Sequence, residues 1–341
     1  MMIVGLEGPQ LDTSARNLLD EIRPLGVILF ARNMPDRAAL QSLLAELHDF
    51  DPNLLFTVDH EGGRVDRLPE GCTHFPPALS LAQEGDPGLV RRVALAQGRE
   101  LRALGFHINF APVLDVHSNP ANPIIGDRAF GTTPEQVIHH ALPYLQGLRE
   151  AGILGCGKHF PGYGDTSSDS HLELPRVDLG LQRLRSLEMQ PFARAISQGL
   201  AMVMTAHVLY PALDESLPAS LSLVVVGENL RDSLGFDGIV ISDDLEMKAI
   251  VDHFGIDEAA VLAVEAGSDI VLVCKTPDLI RRAHAGLSAA LADGRISTPA
   301  DARIRQRRDK LHRRLHKLAK IPAVDNAINC AAHRELAARL V

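Results

Sequence analysis

Gly238-Ile239-Val240-Ile241-Ser242-Asp243-Asp244 is a run too apolar to face water on either side, and it ends in two carboxylates. A strand covered on both faces belongs to a parallel sheet with helices packed over it. Residues with helical spacing flank the run, Leu223 to Leu234 before it and Asp257 to Ala266 after it. A buried strand between two helices is the signature of repeated βα units.

The same alternation extends outward through the chain. Strands are predicted at Met2–Leu6, Gly26–Phe30, Leu54–Val58, His107–Val113, Ile153–Leu154, Ala201–Met204 and Asp269–Cys274. Helical spacing covers Leu11–Arg23, Arg37–Asp49, Pro87–Leu104, Pro134–Glu150, Leu181–Gln198 and Pro277–Ala292. Eight βα units most simply close into an α/β TIM (β/α)8 barrel, with a doubly wound open sheet as the alternative. The basic stretch Pro299–Lys320 predicts a C-terminal helix, and a shorter one follows from Val324. Residues 1–341 thus read as a single barrel domain with a helical extension over 299–341.

Ionisable residues gather just after the strands: Asp59, Asp115, Lys158 with His159, His207, and Asp243 with Asp244. Any one of the acids could be a helix cap or turn residue. Five strands ending this way, with Lys and His among them, point instead to one shared site at the barrel's C-terminal face. Neighbours on a strand point to opposite sides, so only one of Asp243 and Asp244 is expected to face the pocket, and Asp243 is the choice. An acid so placed suits the nucleophile of a retaining glycosidase. After Ile153 and Leu154, a Gly-rich loop is expected to hold Lys158, His159, Asp165, Asp169 and His171. Within it, the imidazole of His171 titrates near neutral pH and suits an acid/base, and Asp169 could orient the ring.

Composition narrows the classes. A net charge of −9 argues against a nucleic-acid binder. The chain has no apolar run long enough to span a bilayer and opens without a basic, apolar leader, so a soluble cytoplasmic protein with no membrane partner is expected. The four cysteines, Cys72, Cys156, Cys274 and Cys330, form no Cys-x-x-Cys pair and read as free thiols. There is no Trp and aromatic residues are 4%. A cleft without stacking platforms holds one or two sugar rings better than a long polymer.

Six motifs occur in order: Val58-Asp59-His60-Glu61-Gly62-Gly63-Arg64-Val65-Asp66-Arg67, Asn109–Val116, Ile125-Gly126-Asp127-Arg128-Ala129-Phe130, Lys158-His159-Phe160-Pro161-Gly162, Asp169-Ser170-His171 and Ile241–Met247. With them the chain resembles the family 3 glycoside hydrolases, specifically the single-domain bacterial β-N-acetylhexosaminidases of cell-wall recycling. The resemblance implies Asp243 as nucleophile and His171 as acid/base, assisted by Asp169. It implies Asp59, Arg67, Arg128, Lys158 and His159 as binders of N-acetylglucosamine. It also implies no cofactor, no metal, a monomer, and muropeptide fragments as the small-molecule substrate. Two positions depart from the family's habit: Tyr163, where His is usual, and His60, where Gln is common.

Other readings stand beside this one. A His acid/base carries no negative charge, so phosphate could replace water and make the enzyme a phosphorylase. The acetamido group could itself attack, with Asp243 and Asp244 only orienting it. His159, His171, His207 and Asp243 also suggest a metal-dependent amidohydrolase, although Leu6-Glu7-Gly8-Pro9 stands where a His-x-His pair is normal. The run Arg303–Lys320 is basic, but Leu311 and Leu315 interleave at helical spacing, which suits a solvated amphipathic helix.

Overall fold

A computed structural model describes residues 1–170 and 172–340. The eight strands are β1 (Met2–Gly5), β2 (Gly26–Leu29), β3 (Leu55–Val58), β4 (Ile108–Asn109), β5 (Leu154–Phe160), β6 (Met202–Thr205), β7 (Ile239–Asp244) and β8 (Ile270–Val273). All pair in parallel with their sequence neighbours, and β8 pairs with β1, closing a TIM barrel. The helices are α1 (Thr13–Ile22), α2 (Arg37–Phe50), α3 (Ala78–Gln83), α4 (Pro87–Leu104), α5 (Pro134–Ala151), α6 (Leu181–Arg183), α7 (Gln190–Ser197), α8 (Lys248–Val251), α9 (Ile256–Ala266), α10 (Pro277–Ala292), α11 (Thr298–Ala319) and α12 (Ala331–Ala338). π-Helical turns occupy Leu184–Glu188 and Val224–Ser233.

The period-2 geometry of a strand sorts the side chains. Ile3, Ile28, Leu55, Ile108, Leu154, Cys156, Met202, Met204, Ile239, Ile241, Ile270 and Leu272 fill the barrel interior. The alternate residues, among them Val4, Val27, Val58, Val203, Val240 and Val271, pack outward under the helices. On β5 and β7 the inward phase runs on to Lys158 and Asp243. The barrel's own alternation thus sets these two above the apolar plug. At the other end, Leu311 of α11 joins the interior cluster, with Leu315 and Leu318 packed against it. The basic helix is a lid on the barrel floor.

Four expectations need correction. Lys158 and His159 belong to strand β5, not to the loop. Gly155 and Gly157 read as loop residues, but a Cβ at Gly157 would lie 2.5 Å from Leu114, and one at Gly155 would lie 3.0 Å from the Ala111 carbonyl. These glycines let a neighbouring segment press against a strand. Second, β4 is cut short because the Ala111 N–H turns back to the Asn109 carbonyl (2.8 Å) and Pro112 has no N–H to pair. Third, the helix expected over Leu181–Gln198 is three pieces, the last opening with Pro191 in its first turn. Fourth, the last helix starts at Ala331 rather than Val324. It is pinned by His333 Nδ1, 2.7 Å from the buried Glu100 carboxylate.

Candidate active site

A cavity of about 360 Å³ opens at the C-terminal ends of the strands. Asp59, Arg67, Arg128, Lys158, His159, Asp169 and Asp243 all line it. The eighth candidate, His171, lies outside the described residues.

Asp59 follows β3 and accepts a hydrogen bond from Lys158 Nζ at 2.6 Å. The same ammonium lies 2.7 Å from Glu61 Oε1. Glu61 in turn takes Arg128 in a fork, Nε to Oε2 at 2.8 Å and Nη2 to Oε1 at 2.9 Å. Burial alone would raise the Glu61 carboxyl, but Arg128 and Lys158 outweigh it and hold it far below the usual range. For Lys158, burial favours the neutral amine, and Asp59 and Glu61 reverse that, so its pKa is raised. Two cations and two anions therefore share a fixed, nearly neutral lattice. Such an array can donate to and accept from the hydroxyls of an uncharged ligand. Glu61 was missed in the sequence, yet it stands two residues beyond Asp59, the spacing that keeps one side of an extended chain.

His159 is held from behind. Its Nδ1 lies 2.8 Å from Asp115 Oδ2 and its backbone N–H donates to Oδ1 at 3.0 Å. Asp115 is fully buried and also accepts the Tyr163 N–H at 2.8 Å. With Nδ1 bound to Asp115, Nε2 is left for the cavity. Arg67 reaches the wall with its Nε buried and without a hydrogen bond among the described residues.

At the end of β7, the Asp243 carboxylate accepts the Asp244 N–H at 2.8 Å. Burial would raise its pKa; the imidazoles of His159 and His207, that N–H and the Lys158 charge bring it below the ordinary value. The Asp243 side chain is thus held as an anion at the cavity wall. Asp244, expected to point away, also reaches the cavity wall. The pairing of β7 with β8 shifts register between Ile241 and Asp244, which breaks the strict alternation. Its Oδ1 is tied to the backbone N–H groups of Glu246 and Cys274, at 3.0 and 3.1 Å. Burial pushes the Asp244 carboxyl up to about 7. His207 contributes no free ring nitrogen: Nδ1 lies 2.7 Å from Ser220 Oγ and Nε2 lies 2.9 Å from the Asp244 carbonyl. It shapes the end of β7.

Asp169 enters from the loop after β5. That loop is anchored on several sides. The Ser170 N–H donates to Tyr163 Oη at 2.9 Å, and the Ala249 N–H donates to the Ser170 carbonyl at 3.1 Å. Asn122 Nδ2 donates to the Tyr163 carbonyl at 2.8 Å. Tyr163 also packs edge-on against His159, ring centroids 5.8 Å apart. The residue that departed from the family's habit is thus a strut between the loop and the strand. A second cavity, about 270 Å³, opens at the opposite end of the barrel beside Leu154, Leu200 and Leu318, with Arg149 and Arg314 as its charges.

Residues 3–313 match the model of the glycosyl hydrolase family 3 N-terminal domain. The chain is 42% identical over 286 residues to the β-hexosaminidase of Alkalilimnicola ehrlichii, covering 82% of each chain. It is 42% identical to a β-hexosaminidase of Neisseria meningitidis, covering 75% of this chain and 72% of the other. Among solved structures it is similar to a family 3 β-N-acetylglucosaminidase from Paenibacillus, at 40% identity and TM-score 0.94, covering 99% of this chain; it spans about two thirds (66%) of that longer chain. It is likewise similar to NagZ from Neisseria gonorrhoeae in complex with N-trifluoroacetyl-D-glucosamine, at 32% identity and TM-score 0.82, covering 99% and 96% of the two chains.

Proposed function

We infer that this chain, which belongs to glycosyl hydrolase family 3, is a retaining β-N-acetylglucosaminidase. The observation that carries the reading is the inward-facing Asp243, ionised at the cavity floor beside the Asp59–Lys158–Glu61–Arg128 lattice. Asp243 attacks the anomeric carbon and forms a glycosyl-aspartate while the leaving oxygen takes a proton from His171. Water, deprotonated by the same imidazole, then releases the sugar. Asp169 orients the imidazole and steadies its charged form. Asp59, Lys158, Arg128, His159 and Arg67 hold the N-acetylglucosamine ring. A family 3 fold, relatives named β-hexosaminidase, and a neighbour that binds an N-acylated glucosamine support this choice of sugar.

The natural substrate is a terminal N-acetylglucosamine β-1,4-linked to an anhydro-muramic residue, with or without peptide. The setting is cytoplasmic recycling of peptidoglycan fragments, upstream of cell-wall synthesis. A cavity of about 360 Å³ without Trp suits a terminal sugar rather than a polymer. The test compares an aryl β-N-acetylglucosaminide with the aryl β-glucoside. Turnover of the first and near-inertness toward the second are expected. Equal rates would overturn the assignment, and sugar-1-phosphate formed when phosphate is added would replace hydrolysis with phosphorolysis. A 2-deoxy-2-fluoro sugar should label Asp243; an unlabelled protein would point to attack by the acetamido group.

A further inference from the structure

We propose that Glu188 is a positioning residue for this reaction, holding the stem of the Asp169 loop against the barrel only while its carboxyl carries a proton. The inference rests on the glycosidase reading above. Glu188 ends the π-helical turn Leu184–Glu188, is fully buried, and does not line the catalytic cavity. Ser118 Oγ donates to its Oε1 at 2.9 Å, and Oε2 has no hydrogen-bond partner among the described residues. Oε2 lies against Gly162: a Cβ there would sit 2.7 Å from it, and Gly162 has φ +139°. No side chain fits that approach. Tyr210 Oη closes the other side, donating to the Gly162 carbonyl at 2.5 Å.

The charged and titratable groups around Glu188 are mostly acids. Asp115 comes from the segment after β4, Asp165 from the loop stem, and Tyr210 from the segment after β6; Arg183, at the end of α6 just before the π-helical turn, is the cation that opposes them. Ser118 Oγ also lies 3.4 Å from Asp165 Oδ1. One hydroxyl proton serves one acid at a time. Burial, with Asp115 and Asp165, raises the Glu188 carboxyl to about 8. Once ionised, it would face Gly162 and Asp165 with a single donor. Unpaired buried charge is relieved by opening to water or by displacement. The Gly162–Asp165 stem is the wall that the ionised carboxylate would press against. Tyr163 within it donates to the same Asp115 that holds His159. Displacing the stem therefore disturbs Asp169 and His159 together.

The experiment measures kcat against pH with a 2,4-dinitrophenyl β-N-acetylglucosaminide. Its leaving group departs unprotonated, so loss of a proton from the acid/base does not by itself slow that step. The wild-type enzyme should lose activity above about pH 8, about tenfold per pH unit for a single ionisation. Glu188→Gln keeps a neutral, similarly shaped side chain; it should match the wild type near pH ~7 and hold that rate about a unit further. Ser118→Ala removes a donor that favours the charged acid, so it should move the alkaline midpoint upward. An alkaline midpoint unchanged in Glu188→Gln, or unmoved or lowered in Ser118→Ala, would overturn the proposal. Thermal unfolding supplies a readout independent of turnover. A carboxyl raised above its ordinary 4.5 stabilises the fold most at low pH and loses that contribution as pH rises to about 8. Wild-type Tm should fall over that span, and Glu188→Gln should fall less; equal falls would also overturn it. Inertness of the wild type toward the aryl glucosaminide would instead sink the glycosidase reading, with the Tm comparison still reporting on the stem.

Discussion

Asp243 and Asp244 are adjacent carboxylic acids with opposite states. Asp243 sits among His159, His207 and Lys158 and stays ionised, whereas burial and its neighbouring acids raise Asp244 to about 7. Only an ionised carboxylate attacks an anomeric carbon, so the proposed mechanism gives the attack to Asp243 and leaves Asp244 as a backbone cap. Asp243→Ala is expected to abolish turnover while circular dichroism and Tm stay close to wild type. His171→Ala should lower kcat by about 10²–10⁴-fold, the range for losing a general acid/base. A normal rate in either variant contradicts its role. The sequence carried the placement of Asp243 well, because Ile239, Ile241 and Asp243 share one phase of a strand. It carried Glu61 poorly. Nothing in a linear reading shows that one buried carboxylate, 6% exposed, will brace both Lys158 and Arg128.

Among the elements, β5 and α11 were read with unequal success. The glycines of β5 remove the β-branched signal by which strands are found, so Lys158 and His159 read as loop residues in the sequence. Their packing reason, contact with Ala111 and Leu114, comes from distant parts of the chain. The α11 helix was legible from Leu311 and Leu315 at helical spacing, but its destination was not. Three-dimensional closure makes the apolar stripe a plug and leaves the charges outside: Arg307 pairs with Asp237 and Asp269, at 3.3 and 3.2 Å, and Lys310 pairs with Asp237. Leu311 is 3% exposed, whereas Leu315 and Leu318 are half-buried. Leu311→Ala opens a cavity at the barrel floor and is expected to destabilise the fold by about 2–5 kcal/mol. Urea denaturation measures this, with kcat of the remaining folded enzyme little changed because the site lies at the opposite end. A loss below about 0.5 kcal/mol, the surface-substitution range, would mean that the helix does not seal the barrel.

At the scale of the whole molecule, buried carboxyls set the pH range of the fold, and they pull in two directions. Glu61 is depressed by Arg128 and Lys158, so its stabilisation is present above the ordinary 4.5 and is lost as pH falls below it. Glu188 and Asp244 are raised by burial to about 8 and about 7, from ordinary values of 4.5 and 3.8. Their contribution is full at low pH and drains away as pH climbs to those values. Between the ordinary and the raised value, each retained proton changes stability by about 1.4 kcal/mol per pH unit. On these three groups stability should peak near about pH 4, where the gain from Glu61 balances the losses from Asp244 and Glu188, and decline toward about pH 8. Calorimetric Tm values measured across that range test this directly. A Tm that rises all the way to about pH 8 would show that Glu188 and Asp244 do not retain their protons in the folded state. Glu188→Gln combined with Asp244→Asn should flatten the alkaline decline while leaving the acid limb, which belongs to Glu61, in place.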